Sequence, residues 1–148
     1  MTMLLGSLLW MMLGCQPPPG GEPSVTFVFP QSRDDIVVCP QFVVSVDIDN
    51  FSVVDVDPAL EDEAGEGHWH LAGDGIYEVV TDSFIELDLQ GDFSTDPVLT
   101  SITAHLAFHN HNELNTAEFP DALATAEFLV ADTTDCVGDG RAEDDTSE

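Results

Sequence analysis

The chain is almost devoid of positive charge. Its 148 residues include no lysine and two arginines, Arg33 and Arg141, against 29 acidic side chains, for a formal net charge of −27. Such a surface repels nucleic acid and anionic lipid head groups, which excludes both as partners of the folded part, and it attracts cations. Solubility in a salty medium, where counterions screen the self-repulsion, explains the same charge without a bound ion. Long apolar runs are also missing. The longest, over residues 4–13, is too short to cross a bilayer as a mature helix. No segment carries the 3.6-residue period of an amphipathic helix, which argues against helical and α/β architectures. Equally absent are a Ser-His-Asp ordering, a phosphate-cradling glycine loop and a nucleotide fingerprint, so no reaction is indicated and the chain is not read as an enzyme. A hydrophobic content of 43% nevertheless suffices for one folded domain.

Cysteine is scarce, with three residues. The apolar run ends in Met12-Leu13-Gly14-Cys15 and is followed at once by Gln16-Pro17-Pro18-Pro19-Gly20-Gly21. That is the order of a signal-peptide core followed by an extended tether. The tetrapeptide resembles the lipobox of bacterial lipoproteins. The resemblance implies cleavage before Cys15, acylation of its thiol and new amino group, and a membrane anchor; Gln16 in the next position implies the outer membrane. No basic residue precedes the apolar run, a departure from the usual leader. Cys39 and Cys136 then remain as a pair in an oxidising compartment, and a disulfide is expected between them, with free thiols or a thiol metal site as alternatives.

The rest alternates at a period of two. Strands are expected over residues 24–29, 41–49, 68–71, 76–80, 83–89, 98–109 and 123–130, with 51–56 continuing the second of these or making a short edge, separated by turn residues and by an acidic loop over 57–67. About seven short strands at this spacing predict an all-β fold, an immunoglobulin-like antiparallel β-sandwich. The expected organisation is a leader over 1–14, the lipidated Cys15 with a Pro/Gly tether over 15–23, a sandwich over 24–131 and an acidic tail over 132–148.

Four of the five histidines occur as two His-x-His pairs, His68-Trp69-His70 and His109-Asn110-His111. Alternation turns Trp69 and Leu71 into the core and His68 and His70 outward. In the sandwich topology the two strands are antiparallel neighbours, so the start of one lies beside the end of the other. His105, His109 and His111 then share that outer face. The expected outcome is a metal site of His68, His70, His109 and His111, with His105 a cross-strand partner and a carboxylate available from the acidic loop. Imidazole nitrogens suit Zn²⁺ or Cu²⁺. No thioether competes, because Met1, Met3, Met11 and Met12 all precede Cys15. Without a metal, the same residues make a solvated or pH-sensitive contact surface for a protein partner. The acidic spacing does not match an EF-hand.

Gly65-x-Gly67-His68-x-His70, then Asp74-Gly75, then His109 and His111 before Asn112-Glu113-Leu114, is similar to small immunoglobulin-like modules of secreted and lipid-anchored bacterial proteins. The resemblance implies an extracytoplasmic sandwich and no particular reaction. Two functions follow as expectations: metal sequestration or delivery, and a structural or adhesive surface module with no metal role.

Overall fold

Val25, Phe29, Phe42, Val44 and Val46 are buried while Thr26, Val28, Gln41 and Asp47 are exposed, the inside-outside alternation of half-buried strands. The computed structural model describes residues 20–33, 36–57, 59, 61–62 and 65–138. The leader, Cys15 with the first part of the tether, and the tail beyond Gly138 lie outside the described residues.

The strands are β1 (Ser24–Phe29), β2 (Val37–Val38), β3 (Gln41–Asp49), β4 (Ser52–Val53), β5 (Glu66–Gly73), β6 (Ile76–Val80), β7 (Phe84–Asp88), β8 (Val98–Ala107) and β9 (Leu123–Val130). They form a sandwich. One sheet has the order β1-β3-β7, and the other β2-β9-β8-β5-β4, with β6 also paired to β5. β4 and β6 occupy successive stretches of one edge of β5, pairing Glu66–Gly67 and Trp69–Gly73 respectively. Two short strands depart from a purely antiparallel immunoglobulin pattern, since β2 runs parallel to β9 and β4 parallel to β5.

The core fills the space between the sheets. Phe42 meets Phe128 edge to face, ring centroids 5.6 Å apart, an arrangement that aromatic quadrupoles favour. Trp69, Leu71, Ile102 and Leu106 are fully buried, and burial of each aliphatic side chain contributes roughly 1.5–3 kcal/mol. The Trp69 indole N–H donates to the Asp82 carbonyl at 2.7 Å, so the core tryptophan is satisfied.

Cys39 and Cys136 form a disulfide, their Cα atoms 4.9 Å apart. It fastens the segment after β9 to the sheet, where Cys39 N–H donates to the Val137 carbonyl at 3.1 Å and Val43 N–H to Gly138 at 2.7 Å. The bonded fold thus continues into residues 132–138.

Candidate metal centre

The register of β5 on β8 sets the site. His68 lies opposite Ala107, Trp69 opposite Leu106 and His70 opposite His105. Since partners across a ladder point to the same side, His68, His70, His105 and Ala107 share the outer face while Trp69 and Leu106 point inward.

Beyond Ala107 the chain turns back on itself. Phe108 N–H donates to the Asn112 carbonyl at 2.9 Å, and Leu114 N–H to Leu106 at 2.9 Å. An isolated bridge pairs Ala107 with Glu113. β8 therefore ends at Ala107, two residues short of the expected His109. His111 sits in this turn with φ +65°, a left-handed conformation that is uncommon outside glycine, asparagine, aspartate and histidine and that recurs at functional sites. The turn returns its ring over the sheet.

Three imidazoles converge there. His68 Nε2 is 3.0 Å from His70 Nε2, and His111 Nδ1 is 3.4 Å from the same atom. One ligand atom from each of His68, His70 and His111 lies within 4.8 Å of the others. Two donors bound at 2.0–2.1 Å around a tetrahedral ion are separated by roughly 3.3–3.4 Å, so a small movement of the rings accommodates Zn²⁺ or Cu²⁺.

The polar groups behind the rings set the proton positions. Glu113 Oε1 lies 3.2 Å from His70 Nδ1, and the Tyr77 hydroxyl also lies 3.2 Å from it. A carboxylate only accepts, so His70 carries its proton on Nδ1 and turns a lone pair on Nε2 toward the centre. This is the carboxylate–histidine arrangement that orients metal ligands. The other Glu113 oxygen is 3.0 Å from His105 Nδ1, and His105 Nε2 lies 2.9 Å from the Leu114 carbonyl oxygen. His105 thus braces Glu113 from outside the cluster, as a cross-strand partner.

Burial and like charge act together on His68. Its pKa is pushed down to about 4, first by burial and then by the facing imidazoles of His70, His111 and His109. It is therefore neutral near pH 7, as a ligand must be. Its Nδ1 is buried without a hydrogen-bond partner.

The structure corrects one expectation about exposure. His68 and His70 face outward from β5 yet are 0% and 2% exposed, because the returning turn and Glu113 cover them. Alternation assigns a face, not what lies over it. His109 is also buried, and its Nε2 donates to Glu66 Oε1 at 3.1 Å. It does not join the three converging rings, since β8 has already ended and the turn separates it from His111. The acidic loop meets this turn as well: Asn110 Nδ2 donates to Asp62 Oδ2 at 2.6 Å. Asp62 and Glu66 hold the turn in place, and among the described residues no carboxylate of this loop enters the cluster. Sequence reasoning assigns no role to Tyr77 and names Glu113 only within the run Asn112-Glu113-Leu114. The one available signal for Glu113 was its position just after the second histidine pair.

Comparison with known proteins finds no matching family model, no matching curated protein and no matching solved structure.

Proposed function

We propose that this chain is a lipid-anchored, extracytoplasmic β-sandwich that binds a divalent transition metal, Zn²⁺ or Cu²⁺, through His68, His70 and His111, and that it sequesters or delivers that ion. The observation that carries this reading is the approach of His68 Nε2 and His111 Nδ1 to His70 Nε2, at 3.0 and 3.4 Å, with Glu113 behind His70. Three neutral nitrogen donors, one of them set in its tautomer by a carboxylate, match the preference of these ions. The net charge of −27 raises the local concentration of divalent cations. His109 supports the site from its place on Glu66.

The anchor rests on the lipobox-like Met12-Leu13-Gly14-Cys15 and the tether that follows. Two or three acyl chains hold a protein at a membrane where one does not. On this reading the sandwich lies in the cell envelope, facing the periplasm or the surface, and its net charge of −27 disfavours a nucleic-acid partner.

Calorimetric titration of the purified protein with Zn²⁺ and Cu²⁺ tests the metal reading. Binding at micromolar concentration or tighter, lost in a His68→Ala/His70→Ala variant that still melts cooperatively, is the expected result. Absence of heat from the wild-type protein with both ions refutes it. Incorporation of radiolabelled palmitate, abolished by Cys15→Ser, tests the anchor separately.

A further inference from the structure

We infer that the metal-loaded centre keeps one coordination position for a ligand from outside the chain, and that this position takes a neutral nitrogen base of the imidazole class. The inference rests on the metal reading above and says what that centre would recognise. Among the described residues the converging group stops at three imidazoles, one donor fewer than a tetrahedral ion requires. The nearest candidate for the missing donor, Glu113, is engaged elsewhere. Its two oxygens lie at 3.2 Å from His70 Nδ1 and 3.0 Å from His105 Nδ1, on the side of the His70 ring away from Nε2.

The remaining position faces solvent. His68 and His70 are buried beneath the site, whereas His111 is exposed at the tip of its turn. Charge then selects the ligand. Glu113 is hydrogen-bonded to a ligand imidazole, and Glu66 and Asp62 hold the neighbouring residues of the turn. Carboxylates this close are inside the roughly 10 Å over which charges act at 0.1 M salt, so an approaching anion is repelled and a neutral donor is not. Donor type agrees as well, since the ions that suit three imidazole nitrogens take a fourth nitrogen donor readily. The exposed Tyr77 ring, whose hydroxyl lies 3.2 Å from His70 Nδ1, stands on the Glu113 side of that ring and leaves the Nε2 side open.

Cobalt(II) makes the position visible, because its d–d absorption reports coordination number and donor type. The full-length protein is loaded with Co²⁺, desalted, and titrated with imidazole and, separately, with azide. The expected result is a saturable shift of the visible bands with imidazole while cobalt stays on the protein through a second desalting, and a weaker response to azide at the same concentration. Cobalt retained with an unchanged spectrum in imidazole shows a closed centre and overturns the inference while leaving the metal reading standing. So does cobalt stripped off by imidazole, or a band shift that needs less azide than imidazole. Failure of Co²⁺ to bind to a protein that does bind Zn²⁺ overturns the inference of a four-donor centre with an open position, and failure of Co²⁺, Zn²⁺ and Cu²⁺ alike refutes the metal reading itself.

Discussion

Nε2 of His68 and Nε2 of His70 face each other at 3.0 Å. Side chains two apart on a strand leave the backbone about 6.5–7 Å from each other, so these rings lean together above β5. His70 is the hub, because His111 Nδ1 also approaches its Nε2, at 3.4 Å. Without metal, His68 and His111 are both placed to donate a proton into that one lone pair. A metal ion replaces both contacts with bonds of its own. Losing an outer-shell partner typically costs a metal site about 10–100-fold in affinity. His70→Ala and His111→Asn remove ligands outright and are expected to weaken Zn²⁺ binding by more than that. Asparagine tolerates the left-handed backbone at position 111, so His111→Asn is expected to leave stability within about 0.5 kcal/mol of wild type. Calorimetric titration beside urea denaturation checks both; an unchanged affinity in His111→Asn removes it from the ligand set.

Glu113 acts on the centre through His70. Its carboxylate fixes the Nδ1 proton and so the lone pair on Nε2. Glu113→Gln keeps the shape but loses the charge, and it presents an amide that the ring can meet as donor or acceptor. Zn²⁺ affinity is expected to fall by roughly 10–100-fold, with little change in the far-ultraviolet spectrum. Affinity equal to wild type means that Glu113 merely decorates the surface.

The depressed pKa of His68 makes stability depend on pH in a definite direction. Unfolded, the imidazole titrates at its ordinary value of 6.5; folded, it does so at about 4. Between these values the unfolded chain takes a proton that the folded protein refuses, so acid favours unfolding. Above pH 6.5 the effect is absent. It develops as the pH falls toward 4 and levels off below, reaching about 3 kcal/mol for His68 alone. Urea denaturation of the metal-free protein at pH 7.5 and pH 4.5, compared with the same pair for His68→Gln, isolates the contribution. A His68→Gln protein that loses as much stability as wild type on acidification would place the pH dependence elsewhere. Zn²⁺ binding weakens over the same acidic range, because protons compete for the ligand nitrogens.

The sheet was legible in the sequence because a period of two is a local property. Strands β1, β3 and β9 and the inward side of Trp69 follow from it directly, and the Cys39–Cys136 disulfide matches the expectation drawn from reading Cys15 as a lipidation site. Adjacency of β5 and β8 was also readable, since a sandwich of this kind fixes which strands are neighbours. The short parallel strands β2 and β4 were not, because two-residue strands carry no pattern of their own. At the site, His68 and His70 were placed on the correct face, but their burial was not foreseen. His109 and His111 diverge because the strand ends at Ala107, where hydrogen bonds between Phe108 and Asn112 and a positive φ at His111 take over. A His-x-His spacing implies one shared face only while the backbone stays extended. The role of Glu113 is hidden for a related reason: its approach to His70 is made by the turn, and a separation of 43 positions in sequence gives no hint of it.

Gly67 ties the fold to the site more closely than any ligand does. A Cβ built at this position would lie 2.1 Å from the Ala107 carbonyl oxygen and 3.0 Å from Phe51 Cζ. The first of these is backbone, held in the ladder that pairs β5 with β8, so it cannot swing aside as a flexible side-chain end can. Its φ of +156° is a further obstacle to an L residue. Gly67→Ala must therefore push β5 away from β8 at the point where His68 faces Ala107. Overpacking of this kind typically costs about 1–3 kcal/mol, and the rigid neighbour places this case at the upper end. The same displacement moves His68 relative to His70 and His111, and Zn²⁺ affinity is expected to fall in the variant molecules that remain folded. Gly75→Ala is the control. It too has a positive φ, +84°, but nothing lies within 4 Å of its added Cβ, so it is expected to lose stability through backbone strain while keeping Zn²⁺ affinity. Urea denaturation and Zn²⁺ titration of both variants check the pair; a Gly67→Ala protein that binds Zn²⁺ as wild type does would show that close packing of β5 on β8 is not what positions His68.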